Sequence, residues 1–479
     1  MKMVKSLLLG SAAGVVAMAG AQAADLPVKA KPVQYVKICS LYGAGFYYIP
    51  GTDTCIKLGG WVRLYTLWGA NGDSTNGALG SYVKNDRTTN NFSWKTRGYI
   101  TADVRNQSEY GTIRAYMDVG FSGDFGNVFS SNRAFIQFAG FTWGLSQSFY
   151  DFYSQPAVSH FGGHVTPASD TGDAGQWLMG YTAQFGNGMS GSISAEAPSP
   201  NRRTFIWNTN TTSAGQTAAT GSSYEGVQWP DFVANLRVDQ AWGAAQIMGA
   251  VHDASGTYYN SASGSAGFGP NHPSNAVGWA VGAGLKLLAP MIGQGDYFQA
   301  QVNYTNGATG YVAAGNISYA GFQSGPFPGN TYGYGLQADG VYGSTGDVEL
   351  TTAWGVDASY EHRWNQQWKT SVYGSYVSFS YNDRANALAC SATTFLPSFY
   401  RSPSHGCDND YSYWDIGSRT QFNLDANTYL SLDVVYTHLN TASGGTFANT
   451  PSGYPSGTLK VDDQSAWIAH FRVHRDFYP

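Results

Sequence analysis

The sequence predicts an all-β fold: a sixteen-stranded antiparallel transmembrane β-barrel with short periplasmic turns and long external loops. Three observations carry that prediction. Apolar and polar side chains alternate with period two over many segments, the chain opens on an export signal, and charged residues make up only 12% of it. Such alternation places successive side chains on opposite faces of a strand. Leu58, Val62 and Leu64 share one face, and Lys57, Trp61, Arg63 and Tyr65 the other. Phe92, Trp94, Ile100 and Val104 oppose Lys95, Arg97, Thr101, Asp103 and Arg105. Ile113, Met117, Val119 and Phe121 oppose Arg114, Tyr116 and Asp118. Ala134, Ile136 and Phe138 oppose Arg133 and Gln137, with Phe135 and Phe141 breaking the pattern. A soluble sandwich would turn such polar faces to bulk water. Here neighbouring strands each carry Arg or Lys on that face, which suits a wet, charged lumen with the apolar face toward lipid.

The first 23 residues read as a cleavable signal. Lys2 and Lys5 form its charged start, Leu7 to Ala19 its apolar run, and Ala21-Gln22-Ala23 a small-residue cleavage pattern. The run is too short to span a bilayer as a helix. Residues 24–54 then read as a periplasmic lead, with Pro27 and Pro32, and 55–479 as the barrel. Losing the two signal lysines takes the net charge from −5 to −7. That acidity, with no basic tail, excludes a nucleic-acid binder. The charged fraction is about half that of a soluble protein, as a large lipid-facing area requires. No later stretch holds 18 consecutive apolar residues, so helical spans are excluded.

Cys39 and Cys55 lie 16 positions apart, and Cys390 and Cys407 lie 17 apart. In an exported chain disulfides are the default. Three connectivities exist, and the local one is favoured. No thiol or imidazole cluster has the spacing of a metal site, so neither metal nor cofactor is expected.

Alternating segments fall near 55–68, 92–107, 111–122, 131–142, 146–153, 176–186, 190–198, 227–240, 244–254, 277–288, 296–306, 347–363, 368–382, 411–424, 429–441 and 463–477. Sixteen is an even number, as bacterial barrels require. The connections alternate between short and long, the signature of periplasmic turns and external loops. Trp and Tyr gather at segment ends (Trp61, Trp68, Trp177, Trp207, Trp229, Trp354, Trp364, Trp368, Trp414, Trp467), as interfacial girdles do.

The lumen reading puts Lys57, Arg63, Lys95, Arg97, Arg105, Arg114 and Arg133 on the inner wall. Like charges side by side are costly in a dry core but act as a field in a water-filled one. The alternative is pairing along the wall, Asp103 with Arg105 or Arg114 and Asp118 with Arg97. His160 and His164 have HxxxH spacing but no third ligand, and read as loop residues. Gly186 to Gly191 matches GxGxxG by letters, yet lacks the following helix and reads as a hairpin turn. GxSxG, HExxH and phosphate-loop motifs are missing, so no enzyme is expected.

The block ICSLYGAGFYYIPGTDTCIKLGGWVR (Ile38–Arg63) resembles the N-terminal signature of the alphaproteobacterial trimeric porins. RAFIQFAGFTWGLSQSFYDF (Arg133–Phe152) resembles their fourth and fifth strands leading into the constriction loop. The resemblance covers nearly the whole mature chain, least so the external loops. It implies an outer-membrane homotrimer, among membrane lipid and lipopolysaccharide, passing small hydrophilic solutes and ions. It also implies that the third loop, about 154–175, folds into the barrel. Asp170 and Asp173, with Asp151 just before, would then face the basic wall across an eyelet with weak charge selectivity. The acidic net charge and the loop acids predict a mild cation preference, which the basic ladder opposes. Two rival readings are a sugar-specific channel, with Tyr65, Tyr99 and Tyr116 as a slide, and an exported soluble adhesin or lectin.

Overall fold

The computed structural model describes residues 37–69, 92–124, 126–153, 158–161, 168–172, 175–198, 201–209, 224–259, 271–314, 331–333, 335–391, 408–442, 444–447 and 459–477. The signal segment 1–23, the lead up to residue 36, His164, Asp173 and Cys407 lie outside these residues.

Sixteen strands form the wall: β1 (Cys55–Trp68), β2 (Phe92–Ser108), β3 (Gly111–Asp124), β4 (Gly126–Phe138), β5 (Phe141–Ser146), β6 (Gln176–Gly186), β7 (Met189–Glu196), β8 (Asp231–Gln240), β9 (Gly243–Asp253), β10 (Val277–Leu288), β11 (Tyr297–Asn306), β12 (Thr352–Arg363), β13 (Trp368–Ser380), β14 (Tyr411–Asn423), β15 (Thr428–Asn440) and β16 (Gln464–Asp476). Each pairs antiparallel with the next. The last meets the first: β1 pairs with β2 from Cys55↔Arg105 to Trp68↔Phe92, and with β16 from Trp61↔Asp476 to Trp68↔Ala469. Closure leaves no sheet edge, the condition for strands to cross a bilayer.

Parity decides the faces. Val62 is 50% exposed, Ile100 60% and Ile247 59%, all on the outward parity, while the charged positions point inward. No described helix is long and apolar enough to cross a membrane. Outward rings touch from strand to strand at the long-loop end: Trp279 with Tyr304, Trp354 with Tyr376, and Trp414 with Tyr436 and then Trp467, centroids 5.0–5.6 Å apart. Trp364, Trp368 and Phe422 form the counterpart at the turn end. Two expected girdle members are elsewhere. Trp61 faces inward and stacks on Tyr99 at 4.6 Å, and Trp207 is buried in the loop after β7.

The fourth and fifth strands differ from the expected 131–142 and 146–153. β3 and β4 run on through the supposed link 122–130, pairing as far as Asp124↔Gly126. The turn is Ala139-Gly140, both at positive φ (49° and 87°). Phe135 and Phe141 obscured it by placing aromatics on the parity opposite Phe138. β5 therefore ends at Ser146, and the chain leaves the wall before residue 147 instead of near 154.

Cys39 and Cys55 are joined, and the strand Tyr47–Tyr48 folds back on the start of β1. Cys390, in the short helix α1 (Asp383–Ser391), is also disulfide-bonded. Opening the first bridge by Cys39→Ser is expected to cost about 3 kcal/mol, since it closes a loop of about 15 residues. A lower melting temperature of the refolded barrel, with unchanged conductance, is the expected reading.

Candidate constriction site

The third loop leaves β5 at residue 147, and its described parts, 147–153, 158–161 and 168–172, lie along the inside of the wall. Its backbone is received by side chains from successive strands. Glu196 on β7 accepts the Phe149 N–H at 2.8 Å, and Asn235 on β8 donates to the Phe149 carbonyl at 2.6 Å. Gln301 on β11 accepts the Tyr153 N–H at 2.8 Å. Gly282 and Gly284 on β10 clear the way: a Cβ on Gly284 would collide with the Phe152 ring. Farther on, Ser371 of β13 donates to the Val158 carbonyl at 2.5 Å. Asp433 of β15 accepts the His160 N–H at 2.5 Å, the Ser159 hydroxyl at 3.2 Å and the Tyr373 hydroxyl at 2.6 Å. The loop thus crosses the lumen from β5 to β15.

Across from it stands the basic wall. Arg63 and Arg97 are cross-strand neighbours. Like charges placed so repel, but both guanidinium groups lie over the Trp61 ring, at 4.4 and 5.6 Å. Arg97 also donates to the Tyr99 hydroxyl at 3.0 Å and to Asn132 Oδ1 at 3.4 Å. Lys95 is half-buried beside them, opposite Tyr65. A β-bulge delivers the next groups. Asp118 pairs with Arg133 while Val119 pairs with Ser131, so Asn132 is the extra residue and it too is buried inward. Arg133 reaches from wall to loop, donating to the Gly172 carbonyl at 3.0 Å.

Arg105 and Arg114 are not on this rung. Both bind Asp103, at 2.7 and 3.0 Å, near the turn Ser108–Gly111. Arg114 lies opposite Gln137, four residues along β4 from Arg133, which is about 14 Å at a strand rise of about 3.4 Å. Wall pairing therefore holds for these two arginines. Asp118 accepts from Asn132 Nδ2 at 3.2 Å.

Among the loop acids, Asp151 pairs with an arginine of another loop. It is buried and ion-paired to Arg202 at 2.7 Å, with both side chains sealed from solvent. Burial opposes the Arg202 charge, but Asp151, Tyr311 and Glu196 together outweigh burial and raise its pKa. The same carboxylate accepts the Thr171 N–H at 2.9 Å, tying the loop's outgoing and returning limbs. Asp170 is half-buried and accepts the Gly172 N–H at 2.8 Å. Asp173 lies outside the described residues.

The sequence reading missed Arg202, Asp339 and Asp433, and did not single out Arg472. Asp433 and Arg472 were legible from strand parity. Arg202 and Asp339 sit in loops, which carry no such signal. They matter because two further loops fold inward. Residues 201–209 and 309–314 pack with 335–342 against the inner faces of β9 and β12–β15. The two lumen faces differ as a result. The basic side chains Arg63, Lys95, Arg97 and Arg133 remain partly open, whereas Asp357, Asp415 and Asp433 on the far wall are at most 4% exposed. Tyr99, one member of the supposed sugar slide, is covered, at 1% exposure.

A closed barrel narrowed by an inward third loop is the architecture of a diffusion channel. The family model described as "Porin subfamily" matches residues 25–468. The chain belongs to this porin subfamily. It is 32% identical over 323 residues to porin Omp2b of Brucella neotomae, covering 60% of this chain and 81% of that one. Against porin Omp2b of Brucella suis it is 33% identical over 259 residues, covering 50% and 64%. The outer membrane channel DcaP of Acinetobacter baumannii shares the fold, with a TM-score of 0.54 at 12% identity, covering 90% of this porin and 99% of that chain. The porin is a general outer-membrane porin, its sixteen strands closed as the sequence predicted, and family and relatives point to a channel rather than an enzyme.

Proposed function

We propose that this porin carries out passive diffusion of small hydrophilic solutes and ions as a homotrimer among outer-membrane lipid and lipopolysaccharide. It turns nothing over, uses no cofactor and does not bind nucleic acid. The eyelet is formed by Arg63, Lys95, Arg97 and Arg133 on one side and by the third loop with Asp170 and Asp173 on the other. Arg105 and Arg114 act nearer the turn-side mouth, and Asp151 anchors the loop. The observation that carries this reading is the contrast between the two faces: the basic wall stays open while the acids of β12, β14 and β15 lie behind the loop. The resulting selectivity is weak and favours anions.

The test is a planar-bilayer measurement on the refolded chain, with Arg63, Arg97 and Arg133 each replaced by Ser. A unit charge about 8 Å from a water-filled axis contributes about 0.5 kcal/mol, roughly a factor of two in local anion occupancy. Each replacement should therefore lower anion preference by up to about that factor, with conductance shifting in step. A cation-selective parent, or three replacements that move neither quantity, would refute the assignment.

A further inference from the structure

Beneath the tip of the third loop, where β15, β16 and β1 adjoin, basic side chains gather with unused donors. His470 is 3% exposed, and neither ring nitrogen makes a hydrogen bond among the described residues, although the His160 backbone lies alongside. The rings of His160 and His470 are 5.2 Å apart. His160 uses Nε2 on Ser431, at 2.5 Å, and leaves Nδ1 without a partner. Arg472, two residues along the same inward parity, is 8% exposed; it meets Tyr429, and its Nε has no partner among the described residues. Arg63 stands across the strand from His474, at the more open edge of the cluster.

Among the described residues no carboxylate reaches His160 Nδ1, the His470 ring or Arg472 Nε. Asp433 already accepts from His160 N–H, Ser159 and Tyr373, and Asp476 takes His474 Nε2 at 3.0 Å. Glu361 holds Arg419, the other guanidinium near His160. Buried polar atoms without partners are costly, and several converging on one place mark a missing ligand. Its chemistry follows from theirs. Arginine and one nitrogen of each neutral imidazole donate, while the other imidazole nitrogen accepts. A halide can only accept. A protonated oxyanion both accepts and donates.

We propose that His160, His470 and Arg472, with Arg63 at the entrance, form a binding site for a small protonated oxyanion of the hydrogen-phosphate class. The inference rests on the porin reading, because the site opens on the basic side of the lumen. Bound there, the anion bridges the loop tip to β16 beside the permeation path.

The test uses the refolded full-length porin in planar bilayers bathed in potassium gluconate, titrated with inorganic phosphate and, separately, with chloride. Phosphate should change the current with saturation, and chloride only in proportion to its concentration. Arg472→Gln removes one charge-assisted hydrogen bond and should raise the half-saturating phosphate concentration about tenfold or more. If that variant fails to assemble, His470→Leu carries the same expectation. A current linear in phosphate for the parent overturns the site and indicates ordered water in its place. Saturation left unchanged in both variants overturns the residue assignment. A chain that conducts nothing refutes the porin reading itself.

Discussion

Replacing Arg202 by Leu is expected to release the third loop from the wall and enlarge the single-channel conductance. The Arg202 guanidinium joins three segments. It donates to Asp151 at 2.7 Å and to Ser148 Oγ at 3.1 Å on the outgoing limb. It reaches the Ser169 carbonyl at 2.7 Å on the returning limb, and the Gly310 carbonyl at 3.1 Å in a second loop. Its carbon lies 4.3 Å from the centre of the Tyr311 ring. Removing it strands the buried Asp151 carboxylate, a loss of about 3–5 kcal/mol. The readouts are a lower melting temperature and larger, noisier conductance steps. The double change Arg202→Leu with Asp151→Leu should recover much of the stability, because an apolar pair of similar volume often replaces a buried ion pair at little cost. If the double variant is no more stable than the single one, the pair is not what anchors the loop.

Asp339→Ala is expected to loosen the external loops and leave the strands in place. Asp339 accepts Thr309 N–H at 2.5 Å, Thr309 Oγ1 at 2.7 Å, Thr204 N–H at 3.2 Å and the Tyr224 hydroxyl. His252 of β9 lies 3.7 Å away. One carboxylate thus fastens the loop after β7 and the loop after β11 to the wall. Orphaning these donors should cost at least about 3 kcal/mol, at about 1–3 kcal/mol for each buried group left unsatisfied. The pH dependence has a definite sign. Burial would raise the Asp339 pKa, but the nearby His252 and hydrogen bonds from Tyr224 and Thr309 outweigh it and hold it below 3.8. A carboxylate depressed on folding stabilises fully above its unfolded value and ceases to do so as pH falls through the folded one. Limited proteolysis of the external loops should therefore stay flat at neutral pH and rise only below pH 3.8 in the parent, whereas Asp339→Ala is cut readily at pH 7. Loops that open near pH 6 in the parent would exclude this carboxylate as the fastening.

The barrel was legible because a strand in a bilayer has two environments and its sequence must alternate between them. That held wherever one parity was cleanly apolar, as in β1, β2 and β12. It failed around Phe135 and Phe141, where inward and outward aromatics look alike and the Ala139-Gly140 turn carries no Asn or Asp. The wall arginines were readable for the same reason, since Arg63, Arg97 and Arg133 follow parity directly. Their height was not, because it depends on the register between strands and on the bulge at Asn132. The pairing of Asp151 was not legible for a further reason. A loop residue's surroundings come from chain distant in sequence, here Arg202, and no local pattern reports that.

The two aromatic rings encode a length. Trp354 on β12 and Trp364, the residue just past its end, sit ten positions apart, one in each ring. At about 3.4 Å per residue and a tilt of about 40°, that separation projects to about 26 Å along the membrane normal. This is thinner than an average bilayer of about 30 Å and matches the thin bacterial outer membrane. Reconstituted into long-chain lipid, the barrel must pinch the surrounding leaflets inward, at a fraction of a kcal/mol for each ångström of mismatch. Short-chain lipid is therefore the medium in which it should insert most readily.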